Sequence, residues 1–429
     1  MKKTVSGDFA GIRALPREIW ALFAIRLINS AGNFVFPFLT LILTQRVGWT
    51  PGKAGVFLSV VQLAGLPGLM LGGKLGDLWG RKRIIMGCQV IAVTAFVVCT
   101  IAGFTPWVPY VIAIASIALS MTWPLSGAMV ADLVPPEGRK SAYALVYWGN
   151  NIGFSVGPLV AGFLFNRAPG LMFLGNAGAL TAAILILRFL VPETLPHTGK
   201  PAATTETTTE TAAGENSAEQ SGEKAQTSGT LAVFFSRPLL VGFTLVMALM
   251  NFVYAQHIFS LPLFLNDRLG SSGSELFGTA MTVNGLTVVL FTLPLTRLTG
   301  RLPPLVSVAI AALLYAAGFG LLSFGGGPIL VLVSTMIWTW GEILASTNIN
   351  VFIASHTPMS HRGRINSATA LVGNIGSLLA PLAAGAYIVK FGSAAVWPAT
   401  AVLGVTAALL MFLLSGVERA AGPGALKSK

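Results

Sequence analysis

The sequence predicts an all-α integral membrane protein with 12 transmembrane helices, arranged in two six-helix bundles related by pseudo-twofold symmetry. Three observations lead to this prediction: the composition, the long apolar runs and a faint internal repeat. Of 429 residues, 54% are hydrophobic and only 10% are charged, whereas a soluble domain carries roughly 25% charged residues. So few charges cannot cover the surface of a soluble protein of this length, and we expect a membrane protein instead.

Twelve largely apolar runs are long enough to cross a bilayer, which takes about 20 residues of α-helix. We number the predicted helices 1 to 12 after these runs. They cover approximately residues 19–44, 53–72, 84–104, 107–131, 141–165, 170–191, 238–265, 274–296, 304–325, 328–355, 365–390 and 394–416.

The segment between the sixth and seventh runs differs in composition from the rest of the chain. Residues 197–230 are rich in Thr, Glu, Ala, Gly and Ser and contain no Phe, Trp or Tyr, so they cannot bury enough apolar surface to order themselves. The sequence therefore predicts five parts: a cytoplasmic N-terminal tail at 1–18, a first bundle at 19–191, a partly disordered cytoplasmic linker at 192–237, a second bundle at 238–416 and a cytoplasmic C-terminal tail at 417–429.

The distribution of basic residues predicts the orientation in the membrane. If both termini are cytoplasmic, 21 of the 27 lysines and arginines fall on cytoplasmic segments and five on external ones. This bias agrees with the positive-inside rule and leads us to expect a multi-pass protein of the cell (plasma) membrane. The net charge of +12 is scattered among short loops rather than gathered in one patch, so we expect no nucleic acid as a partner.

An internal repeat relates the two halves of the chain. Five short matches occur in the same order, each separated by about 220 residues, and together they are typical of transporters built from two parallel six-helix units. The matches pair Asn33-Phe-Val with Asn251-Phe-Val, Arg46-Val-Gly with Arg268-Leu-Gly, Thr122-Trp with Thr339-Trp, Asn151-Ile-Gly with Asn374-Ile-Gly, and Pro158-Leu-Val-Ala-Gly with Pro381-Leu-Ala-Ala-Gly.

Two motifs resemble the major facilitator superfamily. The loop Gly73-Lys-Leu-Gly-Asp77-Leu-Trp-Gly80-Arg81-Lys-Arg is similar to that family's signature between helices 2 and 3. Helix 5 resembles the glycine–proline motif of the 12-helix drug–proton antiporter branch, and together the motifs favour an exporter. The helix 5 residues that carry this resemblance are Gly153, Gly157, Pro158 and Gly162.

The chain departs from that branch at two places. Helix 4 lacks the arginine that the branch usually carries, because residues 117–127 contain no basic residue. The second-half copy of the loop signature, at residues 294–301, has Arg297 where Asp77 would align. These departures leave the usual proton-relay arginine without a counterpart here.

The resemblance implies a conformational latch at the cytoplasmic end of the first bundle. A cluster of Asp77, Arg81 and Asp132 would lock the bundle ends in the outward-open state and break when the cavity opens inward. Asp77 could also face the start of helix 11 near residues 360–365, where a helix dipole favours a carboxylate. The alternative is ordinary surface ion pairing of little energetic weight. The residues assigned to the latch are Gly73, Asp77, Gly80, Arg81, Asp132 and Arg139.

Two ionisable residues lie well inside predicted helices: Arg26 in helix 1 and Glu342 in helix 10. A charge at mid-helix costs roughly 2.5–3.5 kcal/mol on insertion scales, so such residues usually face a cavity and have a function. We expect Glu342 to be the proton-coupling site. His257 is a second candidate, since histidine titrates near neutral pH. The alternatives are a hydrogen-bonded packing role for each, or contact of Glu342 with a cationic substrate.

Polar and aromatic side chains near the pseudo-symmetry axis are the candidates for the substrate cavity. Arg26 has three possible roles: reaching the cytoplasmic surface, pairing with Glu342, or binding an anionic substrate group. Helical spacing places it on one face with Asn29 and Asn33. The predicted cavity residues are Arg26, Asn29, Asn33, Trp123, Asn150, Asn151, Asn251, Tyr254, Trp340 and Asn374.

The leading functional hypothesis is a secondary active transporter that exports small amphipathic or cationic compounds in exchange for protons, by alternating access. No phosphate-binding loop of the full Gly-x-x-x-x-Gly-Lys-Ser/Thr type occurs, so a proton gradient rather than a cofactor is expected to supply the energy. Uptake or exchange of a metabolite such as a sugar or organic anion, and flipping of a lipid-like substrate, remain alternatives. We expect no catalytic residues, no metal and no enzyme activity, and a monomer whose partners are a small molecule, protons and the lipid bilayer.

Overall fold

The computed structural model describes residues 15–194, 234–357 and 362–425, and within these ranges the chain is helical with no β-strand. Helix α4 is interrupted at Met121 and α7 at Ala255. The helices, in chain order, are α1 Arg17–Ala31, α2 Pro51–Trp79, α3 Arg81–Ala102, α4 Val108–Leu133, α5 Arg139–Arg167, α6 Gly170–Leu190, α7 Pro238–Leu269, α8 Ser271–Thr299, α9 Pro304–Leu321, α10 Pro328–Ser355, α11 Arg362–Phe391 and α12 Val396–Ala425.

Ten of these helices, all except α1 and α5, are long and apolar enough to cross a membrane. Helix α1 has only 15 residues, and α5 carries several amide and hydroxyl side chains through its middle. The prediction of an all-α integral membrane protein is confirmed. The number of 12 spans stays a prediction.

The first predicted run, at 19–44, is not one helix. Helix α1 ends at Ala31, where the Gly32 N–H bonds back to the Ile28 carbonyl. The chain becomes helical again at Leu39 and continues as a five-residue π-helical turn, Ile42–Arg46. Pro37 lies in the gap and has no backbone N–H to continue a helix, which explains the break.

The predicted tails and linker are described only in part. Residues 1–14, 195–233 and 426–429 lie outside the described residues. The predicted C-terminal tail at 417–429 begins as helix rather than as a tail, because α12 continues to Ala425. Glu418 in this extension pairs with His356 at 3.0 Å, which ties the helix end to the end of α10.

Glycines in α5 bring α1 very close to α5. A Cβ atom added at Gly153 would lie 2.4 Å from the Leu27 carbonyl oxygen, and one at Gly157 would lie 2.7 Å from the Ser30 oxygen. Only glycine allows two helix backbones to approach each other this closely. The first part of the helix 5 motif therefore serves packing within the first half of the molecule.

The second part of the motif faces the other half. Gly162 and Gly278 face each other between α5 and α8, and a Cβ atom at Gly278 would lie 2.3 Å from the Pro158 carbonyl oxygen. On the opposite side, α2 meets α11 just as closely, since a Cβ atom at Gly55 would lie 2.0 Å from the Pro381 oxygen. Both contacts lie toward the end that carries the turns at Gly48 and Gly270, which we call the distal end.

Hydrogen bonds join the two halves at the distal end. Ser59 donates to the Leu378 carbonyl at 2.6 Å, and Asn166 donates to the Ser274 hydroxyl at 2.9 Å. Arg167 and Glu275 form an ion pair at 2.8 Å. We call the opposite end, where α1 begins and α12 ends, the terminal end; the sequence predicts that it is cytoplasmic.

A cavity of about 490 Å³ opens between α2, α4 and α11 just beyond the Ser59–Leu378 contact, on its terminal side, and Asn374 is one of its lining residues. The two halves therefore contact each other at the distal end and border an opening next to that contact.

We expect Gly55→Ala to weaken the distal contact. The added methyl group would meet the Pro381 carbonyl at 2.0 Å, and overpacking of this kind costs about 1–3 kcal/mol. The distal end should then open more often. The measurement is the alkylation rate of a cysteine placed at Ser274, which is fully buried at the α5–α8 contact of the same distal end, after Cys88 and Cys99 are replaced by alanine.

The matched control is Gly87→Ala in α3, where an added Cβ atom meets nothing within 4 Å. It should leave the alkylation rate unchanged. Equal rates in the Gly55→Ala protein and the control would show that this close approach does not hold the halves together.

Candidate functional site

Glu342 lies midway along α10 and is held by polar groups of the second half. The Asn284 amide in α8 donates to a Glu342 carboxylate oxygen at 2.8 Å and to the Thr339 hydroxyl oxygen at 3.0 Å. The Tyr254 side chain in α7 is a second neutral neighbour of the Glu342 carboxyl group. All of these partners are neutral, so no basic side chain of the described residues neutralises this carboxyl group.

An aromatic layer lies beside the Glu342 site. The Tyr254 ring is 4.3 Å from the His257 ring and 5.5 Å from the Tyr315 ring, measured between centroids. Trp338 lies 5.2 Å from His257 and is fully buried. This layer limits the access of water to the Glu342 site from within the second half.

His257 is bonded to its own helix. Its Nδ1 atom lies 2.6 Å from the Tyr254 carbonyl oxygen, so that nitrogen carries the proton in the neutral ring. In the described residues its side chain has no contact with Glu342 except through Tyr254. A part for His257 in proton coupling therefore stays a prediction.

Arg26 stacks on an aromatic ring in the first half. Its guanidinium carbon lies 4.4 Å from the centroid of the Trp123 ring in α4. Among the described residues, no carboxylate lies within 4.0 Å of it, so the anticipated pair with Glu342 is not formed in this structure. Arg26 is held inside the molecule by Trp123 rather than extended to the surface.

The predicted polar face of helix 1 is only partly correct. Arg26 and Asn29 lie in α1, but Asn33 follows the end of the helix at Ala31, so helical spacing no longer relates it to them. The Oδ1 atoms of Asn29 and Asn33 are buried and accept no hydrogen bond among the described residues. Neither oxygen is open to a ligand in this structure.

Of the other predicted cavity residues, some join helices within one half and one lies near the gap between the halves. Asn150 accepts a hydrogen bond from Ser30 at 2.9 Å, and Asn251 donates to the Gly373 carbonyl at 3.0 Å, so both join helices within one half. Asn151 bonds to the carbonyl of Tyr147, whose side chain lies within range of the Glu342 charge across the gap between the halves.

Asn374 lines the opening between α2, α4 and α11, whereas Trp340 packs against Phe291 within the second half at 5.8 Å between centroids. Trp123, the stacking partner of Arg26, is 58% exposed.

Sequence reasoning did not find four residues of the site: Tyr147, Asn284, Tyr315 and Thr339. An amide in the middle of an apolar helix marks Asn284 as a candidate. Thr339 belongs to the repeated Thr-Trp pair. The two tyrosines carry no comparable sequence pattern.

The predicted latch residues form a charge cluster within the first half. Arg81 pairs with Asp132 and lies 3.7 Å from Asp77. Gly80 makes the turn between α2 and α3 with a φ of 99°, a conformation that only glycine adopts easily. Arg139 does not join the cluster, since it donates to the Val134 carbonyl at 3.2 Å.

The cluster is intact in this structure, and Arg81, Asp77 and Asp132 all belong to the first half. Its breaking when the cavity opens inward stays a prediction. Asp77 is 70% exposed. The start of α11 cannot be compared with it, because residues 358–361 lie outside the described residues and the side chains of 362–364 are not described. Gly73 has no neighbour within 4 Å of an added Cβ atom.

A second contact secures the same loop. The Glu193 carboxylate, just after α6, accepts hydrogen bonds from the backbone N–H groups of Lys82 and Arg83 at 3.0 and 3.2 Å. The Lys82 ammonium in turn donates to the Arg188 and Val191 carbonyls at 2.8 and 2.6 Å. An acid thus caps the start of α3 and a base caps the end of α6, as the helix dipoles favour.

These features define a membrane protein of two helical halves with isolated charges on its membrane-type helices, as in transporters. The model of the Major Facilitator Superfamily matches residues 22–381 and 274–428. The chain therefore belongs to the Major Facilitator Superfamily and is a secondary transporter of small molecules rather than an enzyme.

Two relatives match most of the chain. A Na⁺, Li⁺, K⁺/H⁺ antiporter of Planococcus maritimus is 26% identical over 374 residues, which are 83% of this chain and 85% of that protein. An uncharacterised transporter of the same superfamily, YhjO of Bacillus subtilis, is 26% identical over 401 residues, which are 90% of each chain.

Solved structures share the fold at low sequence identity. The nucleoside transporter NupG matches with a TM-score of 0.72 at 15% identity, over 93% of this chain and 99% of that chain. A POT family transporter in complex with 5-aminolevulinic acid matches with a TM-score of 0.74 at 13% identity, over 95% and 99%.

We expect Asp132→Asn to destabilise the protein more than Asp77→Asn. The Arg81 side chain is only 13% exposed, so removal of its close partner leaves a largely buried charge unpaired, which is costly. Asp77 is mostly exposed, and exposed pairs contribute about 0–1 kcal/mol. Melting temperatures of the purified proteins in detergent measure the difference, and equal falls would contradict the geometry of the cluster.

Proposed function

We propose that this protein is a proton-coupled antiporter in which Glu342 binds alternately a proton and the cationic group of an exported compound. The observation that carries the proposal is a carboxyl group midway along a membrane helix whose hydrogen-bond partners are all neutral. A charged group there is costly, and such residues are commonly proton or substrate sites. The proposal needs a proton gradient and no cofactor.

Competition for one carboxyl group explains how the two fluxes would be coupled. When the cation leaves, the carboxylate keeps only neutral partners in a poorly solvated site, so a proton can bind in place of the cation. When the cation returns, the proton must leave. Either occupant neutralises Glu342, and the empty charged state is the costly one.

The exchange requires that the site face one side of the membrane at a time. The contacts of α2 with α11 and of α5 with α8 hold the halves together at the distal end, and a cavity opens next to the first of these contacts. Rocking of the halves about the midplane would transfer access to the other side. We place both termini in the cytoplasm on the basis of the charge distribution, and the location in the plasma membrane and the monomeric state are part of this proposal.

Export of small organic cations or amphipathic compounds is the direction that the loop and helix 5 motifs favour. The second candidate is exchange of an inorganic monovalent cation for protons, which the Planococcus maritimus relative favours by its name. Carboxylate and hydroxyl oxygens of Glu342 and Thr339 lie together in the site, and alkali cations bind such oxygen ligands.

We expect Glu342→Gln to abolish coupling between substrate and proton movement while the protein still folds. The glutamine side chain has almost the same shape but cannot exchange a proton. The measurement is substrate-dependent proton flux in proteoliposomes under a pH gradient, with organic cations and with Na⁺, Li⁺ and K⁺ tested separately.

The matched control is Glu137→Gln, an exposed acid in the turn before α5, which should leave the flux unchanged. Unaltered proton flux in the Glu342→Gln protein would overturn the assignment of the coupling site. A response to alkali cations alone would favour the second candidate.

A further inference from the structure

Two isolated charges of opposite sign lie on opposite halves of the molecule. Arg26 belongs to α1 in the first half and Glu342 to α10 in the second. Neither has an ion-pair partner among the described residues, and they do not pair with each other. Each charge costs free energy in a membrane protein unless something neutralises it.

Arg26 must be neutralised by an anion, because a guanidinium group does not lose its proton in proteins. Stacking on Trp123 at 4.4 Å occupies one face of the group and leaves its N–H donors, which lie in the plane of the group, without acceptors in the described residues. This planar fork matches a carboxylate through two parallel hydrogen bonds. The Trp123 ring also fixes the orientation of the fork.

Glu342 offers the opposite charge. Asn284 donates a hydrogen bond to it and Tyr254 is a second neutral neighbour, while Tyr147 of the first half lies within range of its charge across the gap. The electrostatic effect of the Glu342 carboxylate therefore extends into the space between the halves. An ammonium group of a ligand would both neutralise it and donate hydrogen bonds to it.

The sequence repeat indicates that the two charges lie at similar depths in the membrane. The repeated pair Thr122-Trp and Thr339-Trp aligns Leu125 with Glu342, and Trp123 is two residues, or about 3 Å of helix rise, from Leu125. Arg26 stacks on Trp123 and so lies near the level of Glu342. A single small molecule that spans the cavity could meet both charges.

We infer that the transported compound is a zwitterion, whose carboxylate binds Arg26 on one half and whose ammonium group binds Glu342 on the other. This inference rests on the proposed role of Glu342 and adds a second charge to the substrate. A molecule that bridges the halves at both charges stabilises a state in which the halves are close around it. The loss of either group removes one anchor.

The experiment compares compounds that share one skeleton and differ only in charge. Each amino acid and a set of dipeptides are tested as the zwitterion, as the methyl ester, which keeps only the ammonium group, and as the deaminated acid, which keeps only the carboxylate. Purified full-length protein is assayed for the shift in melting temperature, and proteoliposomes for proton flux driven by each compound.

We expect a zwitterion to shift the melting temperature and drive proton flux at least ten-fold better than its own ester or deaminated acid. The Arg26→Gln protein should lose this preference over the ester, while Arg26→Lys should recover part of it because the charge remains without the planar fork. The control is Arg301→Gln, an exposed cation at the turn after α8, which should behave like the wild type.

The failure of this inference is distinguishable from the failure of the proposed function. An ester that drives proton flux as well as its zwitterion, or a lack of any response to zwitterions, overturns the inference of a double charge. If esters still drive flux that depends on Glu342, proton coupling at Glu342 stands. An Arg26→Gln protein that keeps the full preference for zwitterions also overturns the inference.

Discussion

A charge in the middle of a membrane protein must be solvated, paired or neutralised, and this constraint organises the molecule. Glu342 has neutral partners only, and Arg26 has an aromatic ring for a partner. A folded state that left both permanently in an apolar core would be costly. We therefore infer that both groups lie beside the space between the halves, where a proton, water or a ligand can reach them.

That space exists because the halves touch along only part of their length. The contacts of Gly55 with Pro381 and of Gly278 with Pro158 allow backbones to meet without intervening side chains. Such flat contacts hold two rigid bodies together at the distal end but leave the rest of the cavity free. The charge cluster around Arg81 lies inside one half, so it stiffens that body and does not depend on the position of the other.

The sequence predicted the membrane class, the helix positions and the two central charges, because apolar run length and isolated charges are local properties. It could not predict the bond between Asn284 and Glu342, whose residues are 58 positions apart and meet only through packing. The break after Ala31 was missed because apolar composition continues across it. The glycines of α5 were found as a motif, but only the structure separates Gly153, which packs on α1, from Gly162, which faces α8.

The internal sequence repeat does not extend to the two isolated charges, and this difference has a functional meaning. The position that aligns with Glu342 in the first half is Leu125, which is buried. The position that aligns with Arg26 in the second half is Thr244, whose hydroxyl bonds to its own helix. Each half therefore supplies one charge that the other lacks. A ligand that binds both charges must contact both halves. Its recognition therefore depends directly on the relative position of the halves.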